Sequence, residues 1–176
     1  VKESAADERY LAWTDNGGGL GEPRVRYQRF DSSLSRVGSE MLVTPGNEYG
    51  SEPALCAFGG DFAIAWVEND ASADRTYHVR AGSAEWTVGP FLLEAGVHLT
   101  LDSLDATHLM LVMEEPRMVD AALPPTRLLG AVLDTAQPGA VEAFPIGPLT
   151  TADPEDPYVS QSQSSFVVAG GSAFLA

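Results

Sequence analysis

The sequence predicts an all-β chain built from repeated units of short antiparallel strands, and three observations carry that prediction. Seventeen glycines and twelve prolines are spread along the 176 residues. The apolar runs between them are mostly about five to eight residues long and rich in Val, Ile, Phe, Tyr and Trp, which is how strands read. No window of about a dozen residues keeps apolar positions at i, i+3, i+4 and i+7 free of Gly or Pro; 126-TRLLGAVLD-134 comes nearest, with Pro125 before it and Pro138 after it. The third observation is self-similarity. The segment 53-PALCAFGGDFAIAW-66 matches 157-PYVSQSQSSFVVAG-170, each with an acid and a proline at its start and a phenylalanine nine residues on (Phe62, Phe166). A further copy is 100-TLDSLDATHLMLVM-113, and another ends at 9-RYLAWTD-15. Trp13, Trp66, Met113 and Gly170 then occupy one position of the repeat, at a spacing of about 50 residues, and such a period points to a repeat architecture.

The elements follow in chain order. The first unit, about 1–49, holds strands 9-RYLAWTD-15, 25-VRYQRFD-31 and 38-GSEMLVT-44. The second, about 50–98, holds 53-PALCAF-58, 62-FAIAWVE-68, 76-TYHVRAG-82 and 89-GPFLLEA-95. The third, about 99–153, holds 99-LTLDSL-104, 109-LMLVME-114, 127-RLLGAVLD-134 and 141-VEAFPIG-147, and residues 154–176 begin a fourth. Four antiparallel strands in about 40–50 residues make one blade of a β-propeller, whose sheets pack face to face around a channel. Three such blades and part of a fourth are expected, as a portion of a larger propeller.

Composition bounds the function. With 44% hydrophobic and 20% charged residues the chain can bury a core. Its formal charge of −15 repels phosphate backbones and anionic headgroups, so nucleic acid is excluded as an expected partner. The single cysteine, Cys56, has no partner for an intrachain disulfide and reads as a small buried hydrophobe. Apolar runs such as 128-LLGAVL-133 are far shorter than the ~20 residues of a membrane-spanning helix. The chain starts at Val1 and stops within the apolar run Phe174-Leu175-Ala176, from which a processed or incomplete chain is expected, covered at its ends by blades of the same precursor, another chain or a symmetry mate.

The run Pro-x-Val/Leu-x-x-x-x-Gly-x-Phe-Ala/Val-Ile/Val-Ala-Trp, with an Asp/Asn/Gly loop, a strand like 25-VRYQRFD-31 and a Gly-Ser-Glu-x-x-Val strand after it, resembles the blade repeats of secreted bacterial β-propeller proteins, loosely of the integrin type. The likeness spans nearly the whole chain and is weaker where Met113 and Gly170 replace tryptophan. It implies a propeller fold and an extracellular or cell-envelope setting, and it implies no activity.

Candidate functional residues lie in the loops. Trp13 and Trp66 recur at the blade period and so read as inter-blade packing rather than a sugar platform. Trp86 lies off the pattern and is expected to be the tryptophan that faces a ligand. In a blade, the loop between second and third strands and the loop to the next blade emerge at one end. Here those loops are 14–23, 44–52, 67–75, 114–126 and 150–157, and they hold thirteen of the twenty-five acids. A strongly negative ligand or partner face is therefore expected, with Asp15, Glu22, Glu68, Asp70, Asp74, Glu114 and Glu115 on it. Within it Glu68, Asn69, Asp70 and Asp74 are the oxygen donors best placed for calcium, although no Asp-x-Asp-x-Asp-Gly order appears. A glycosidase would use two such carboxylates roughly 5–10 Å apart. No Ser-x-Asp-x-Gly-x-x-Trp box is present, His78, His98 and His108 are scattered, and 17-GGGLG-21 opens no helix. The stretch 166-FVVAGG-171 carries the double glycine of kelch blades without their downstream Tyr and Trp. The sequence thus reads as a non-enzymatic binding or scaffold element of a bacterial envelope or secreted assembly, with a glycoside-active propeller as the alternative.

Overall fold

The computed structural model describes residues 2–3, 8–17, 23–44, 49–69, 74–92, 98–116, 126–146, 166–169 and 172–175. Every regular element in them is a strand: β1 (Lys2–Glu3), β2 (Arg9–Asp15), β3 (Arg24–Phe30), β4 (Arg36–Leu42), β5 (Gly50–Phe58), β6 (Asp61–Asn69), β7 (Asp74–Ala81), β8 (Ala84–Leu92), β9 (Leu99–Ser103), β10 (His108–Pro116), β11 (Thr126–Asp134), β12 (Gly139–Val141), β13 (Phe144–Ile146), β14 (Phe166–Ala169) and β15 (Ser172–Leu175). No helix among the described residues is long and apolar enough to cross a membrane. Strands β1 to β4 form a first antiparallel sheet in chain order, β5 to β8 a second, and β9, β10, β11 and β13 a third.

Strand alternation distributes the side chains between two interfaces. On β6 the even positions Ile64 and Trp66 pack on Val25 and Val43 of the first sheet. The odd positions Ala63, Ala65 and Val67 join Tyr77, Val79, Trp86 and Val88 against Leu101, Leu109, Leu111 and Met113 of the third. Period-two alternation with both faces apolar places the second sheet in the middle of the core. Each large side chain withdrawn from water there contributes ~1.5–3 kcal/mol. The repeat position holds its meaning in space: Trp66 and Met113 both face the preceding sheet. Trp13 lies on the corresponding face of the first sheet, opposite Tyr10 and Ala12, and is only half-buried.

Three expectations are corrected. The last strand of the second sheet runs Ala84–Leu92, not 89–95, because Gly89-Pro90 falls inside it. Gly89 adopts φ +117° beside a register shift between Arg75 and Tyr77, and a bulge is where a strand tolerates a proline that cannot donate to the ladder. The strand expected at 141–147 is split: β13 closes the third sheet, while β12 crosses back and pairs in parallel with Trp86-Thr87-Val88 on the edge of the second. Finally, Phe166 does not occupy the position of Phe62. Strand β14 packs beside β9, as β9 packs beside β5, so it is a first strand of the repeat and not a second. The pairing Ala169↔Ser172 leaves Gly170-Gly171 between partners, as Phe58↔Asp61 leaves Gly59-Gly60. Gly59 and Gly60 stand at φ +61° and +82°, and a two-residue turn of that hand outranks a matched phenylalanine in setting register.

At the end of the sheets holding the β9–β10 and β11–β12 turns, aspartates fix the backbone. Asp105 accepts hydrogen bonds from the amides of Thr107 and His108, at 2.7 and 2.8 Å, and from the Thr107 hydroxyl. Its carboxyl is lowered to about 2, first by the Thr107 amide and then by His108. A depressed carboxyl stabilises the fold above its unfolded value and loses that contribution as pH falls through its folded one. Asp105→Ala should therefore lower the melting temperature near neutral pH, with the gap to the unaltered chain closing as pH approaches 2. A gap that stayed constant with pH would show that the charge of Asp105 is irrelevant.

Candidate functional site

Antiparallel connectivity sends β2, β6 and β10 out at the same end of their sheets, where they lead into the longer connections 16–23, 70–73 and 117–125. The connection from β4 to β5 joins them there: the Gly50 amide donates to the Pro23 carbonyl at 2.8 Å, and the Glu52 amide to Thr14 Oγ1 at 3.3 Å. The sheets share one orientation, since at the far end the Trp86 indole donates to the Asp134 carbonyl at 3.2 Å. Asp15 and Glu68 stand at the loop end as expected, and so do the backbones of Asn69, Asp74, Glu114 and Glu115. The side chains of those last four, and the whole of Glu22 and Asp70, lie outside the described residues.

Asp15 accepts from the Gly17 amide at 3.0 Å and from Arg26 Nε at 2.7 Å, and its carboxyl is lowered, first by the amide and then by the guanidinium. Arg26 reaches across its strand pair to Glu40 as well, at 2.9 Å, tying β2, β3 and β4. Glu68 Oε2 lies 2.8 Å from His78 Nε2, whose other ring nitrogen faces Glu85 at 3.7 Å. The imidazole stacks on Trp66 with ring centroids 5.2 Å apart and planes 12° apart. Arg80 covers the same indole, its guanidinium carbon 5.5 Å from the ring centroid, and donates to the Val43 carbonyl at 2.9 Å. This cation–aromatic and hydrogen-bond clasp ties the second sheet to the first.

Glu68 therefore has a partner other than a cation. Among the described residues, no three His, Cys, Asp or Glu side chains converge to hold a metal. The carboxylates flanking His78 address opposite ring nitrogens, a geometry that orients an imidazole rather than chelating an ion.

Trp86, expected to face a ligand, is fully buried between the second and third sheets. Its turn-proximal place in the sequence suggested exposure, but β12 pairs alongside it and the Asp134 carbonyl receives its N–H. Trp66 meets the expectation of inter-sheet packing. His78, Arg80 and Arg26 were not singled out. Their signal is the alternation in 76-TYHVRAG-82, where Thr76, His78 and Arg80 share one face while Tyr77 and Val79 fill the core.

A second polar junction lies between the first two sheets. The Tyr10 hydroxyl sits 2.8 Å from Glu8 Oε2 and 2.9 Å from Asp61 Oδ1, and its ring meets Phe62 at 4.3 Å. Burial, then the neighbouring carboxylates, push its ionisation well above the ordinary phenol range, so it remains a neutral donor at any physiological pH.

No protein-family model matches this chain, and no curated protein matches it.

Proposed function

We propose that the chain is a propeller-like repeat element that acts by binding rather than catalysis, as a scaffold in a bacterial envelope or secreted assembly. The observation that carries the reading is the gathering of the loop-bearing strand ends at one end of the sheets, in a chain whose acids concentrate in those loops. Successive four-stranded sheets packed face to face support the propeller architecture. Trp13 extends it: the position that Trp66 buries against a preceding sheet is half-open on the first sheet, where a further blade would cover it.

The acidic end recruits a basic partner, and electrostatic steering of that kind raises association rates in proportion to unscreened charge. Surface-immobilised chain should capture poly-L-lysine and ignore poly-L-glutamate, with the association rate falling between about 0.05 and 0.5 M salt as the Debye length shortens. Converting Asp70, Asp74, Glu114 and Glu115 to lysine should abolish capture while leaving the circular dichroism unchanged. Equal capture by that variant would overturn the assignment of the loop end as the partner face.

A further inference from the structure

The second and first sheets end differently. On the second, the outermost strand β8 is covered by β12, three residues that cross back from the third sheet and pair in parallel with Trp86-Thr87-Val88. On the first, the equivalent outermost strand β4 pairs with β3 alone among the described residues. The chain has no homologous strand to supply there. The segment that would do so is the connection between β7 and β8, and it is Gly82-Ser83, two residues closed by the Ala81↔Ala84 pair.

The uncovered edge is apolar where it is regular. Four of the six exposed large hydrophobic residues belong to the first sheet, and Met41 and Leu42, at 51% and 39% exposure, stand side by side on β4. Natural sheets shield such edges with lysines, prolines or bulges. Gly38, at φ +73°, interrupts the first half of β4, and nothing comparable protects residues 39–42. The direction of the free backbone groups follows from one bond. The Val43 amide donates inward to the Val25 carbonyl, so the amides and carbonyls of Met41 also point to β3, and those of Glu40 and Leu42 point out.

We propose that β4 is a self-pairing edge and that its occupant is β4 of a second copy, antiparallel about a two-fold axis at Met41. Glu40 then pairs with Leu42 of the second copy and Leu42 with its Glu40, using all four outward amides and all four outward carbonyls in one continuous sheet. An isologous contact of this kind closes on itself and stops at two chains. Met41 meets its own counterpart across the axis, removing the most exposed side chain of β4 from water. Charge does not oppose the contact, because the Glu40 carboxylate already holds Arg26 at 2.9 Å, and the alternative register placing Glu40 opposite Glu40 is the one that repulsion disfavours.

The inference is independent of the acidic binding face and is tested on the unmodified chain. Sedimentation equilibrium over a hundredfold range of concentration should reveal a reversible species of twice the 18.7 kDa chain mass. Hydrogen exchange should show the Glu40 and Leu42 amides gaining protection as the dimer forms. The double variant Met41→Lys and Leu42→Lys should remain monomeric with an unaltered circular dichroism spectrum, and Leu42→Pro, which removes one outward amide, should weaken the dimer at least tenfold. A monomer at every concentration overturns the proposal. So does a dimer that protects Leu11 and Trp13 in place of Glu40 and Leu42, since that pattern belongs to a blade-on-blade contact through the open face of the first sheet.

Discussion

Replacing Trp66 with alanine is expected to cost on the order of 3–5 kcal/mol, the range for deleting a large buried aromatic. For a chain of this length that corresponds to a fall in melting temperature of the order of 10 °C. The side chain is 1% exposed and fills the junction of the first two sheets against Val25, Val43 and Ile64. Its removal also takes away the surface on which His78 stacks and over which Arg80 lies, so the clasp to the Val43 carbonyl loses its support. The junction has no slack in the other direction either: a Cβ added at Gly50 would overlap Thr44 Cγ2 and come within 2.9 Å of Trp66 Cδ1. Trp66→Phe should recover much of the loss, because the indole N–H has no hydrogen-bond partner among the described residues and only volume is given up. Differential scanning calorimetry of the two variants decides the matter, and an unchanged midpoint for Trp66→Ala would mean that the first and second sheets do not pack as described.

The second large effect belongs to Trp86. It is 0% exposed, and truncation to alanine should again cost on the order of 3–5 kcal/mol. Here the pattern of rescue differs. Trp86→Phe loses the hydrogen bond to the Asp134 carbonyl, worth about 1 kcal/mol, and leaves that acceptor buried beside the third sheet. Phenylalanine should therefore rescue position 66 better than position 86. Were Trp86 a ligand-facing residue, its alanine variant would melt with the unaltered chain, so one calorimetric comparison separates a core residue from a surface one.

The contrast between these tryptophans shows what was legible. Trp66 was readable as packing because it recurs at the position of Trp13 and Met113, and periodicity marks a contact made between neighbouring units. Trp86 broke the period and was read as free of it. What buries it is β12, which arrives from more than fifty residues away and pairs in parallel, and strand alternation carries no information about a partner that distant. The loop end of the sheets was legible for a different reason: antiparallel connectivity alone dictates which turns emerge together, whatever the side chains do. Which acids are occupied was not. Glu68 read as a calcium donor from its neighbours in sequence, whereas the group it touches, His78, stands ten residues away on the adjacent strand.

By itself, then, the sequence determined the all-β class and most strand positions, because period-two alternation and Gly/Pro punctuation are local properties encoded within a few residues of each strand. Two-residue turns such as Gly59-Gly60 set their hairpins for the same reason. Only the tertiary structure decided the strand exchange of β12, the place of β14 beside β9, the Tyr10 junction with Glu8 and Asp61, and the stacking of His78 and Arg80 on Trp66. Each of these depends on which faces and edges meet once sheets are stacked, and that choice is made by shape and burial summed over the whole core.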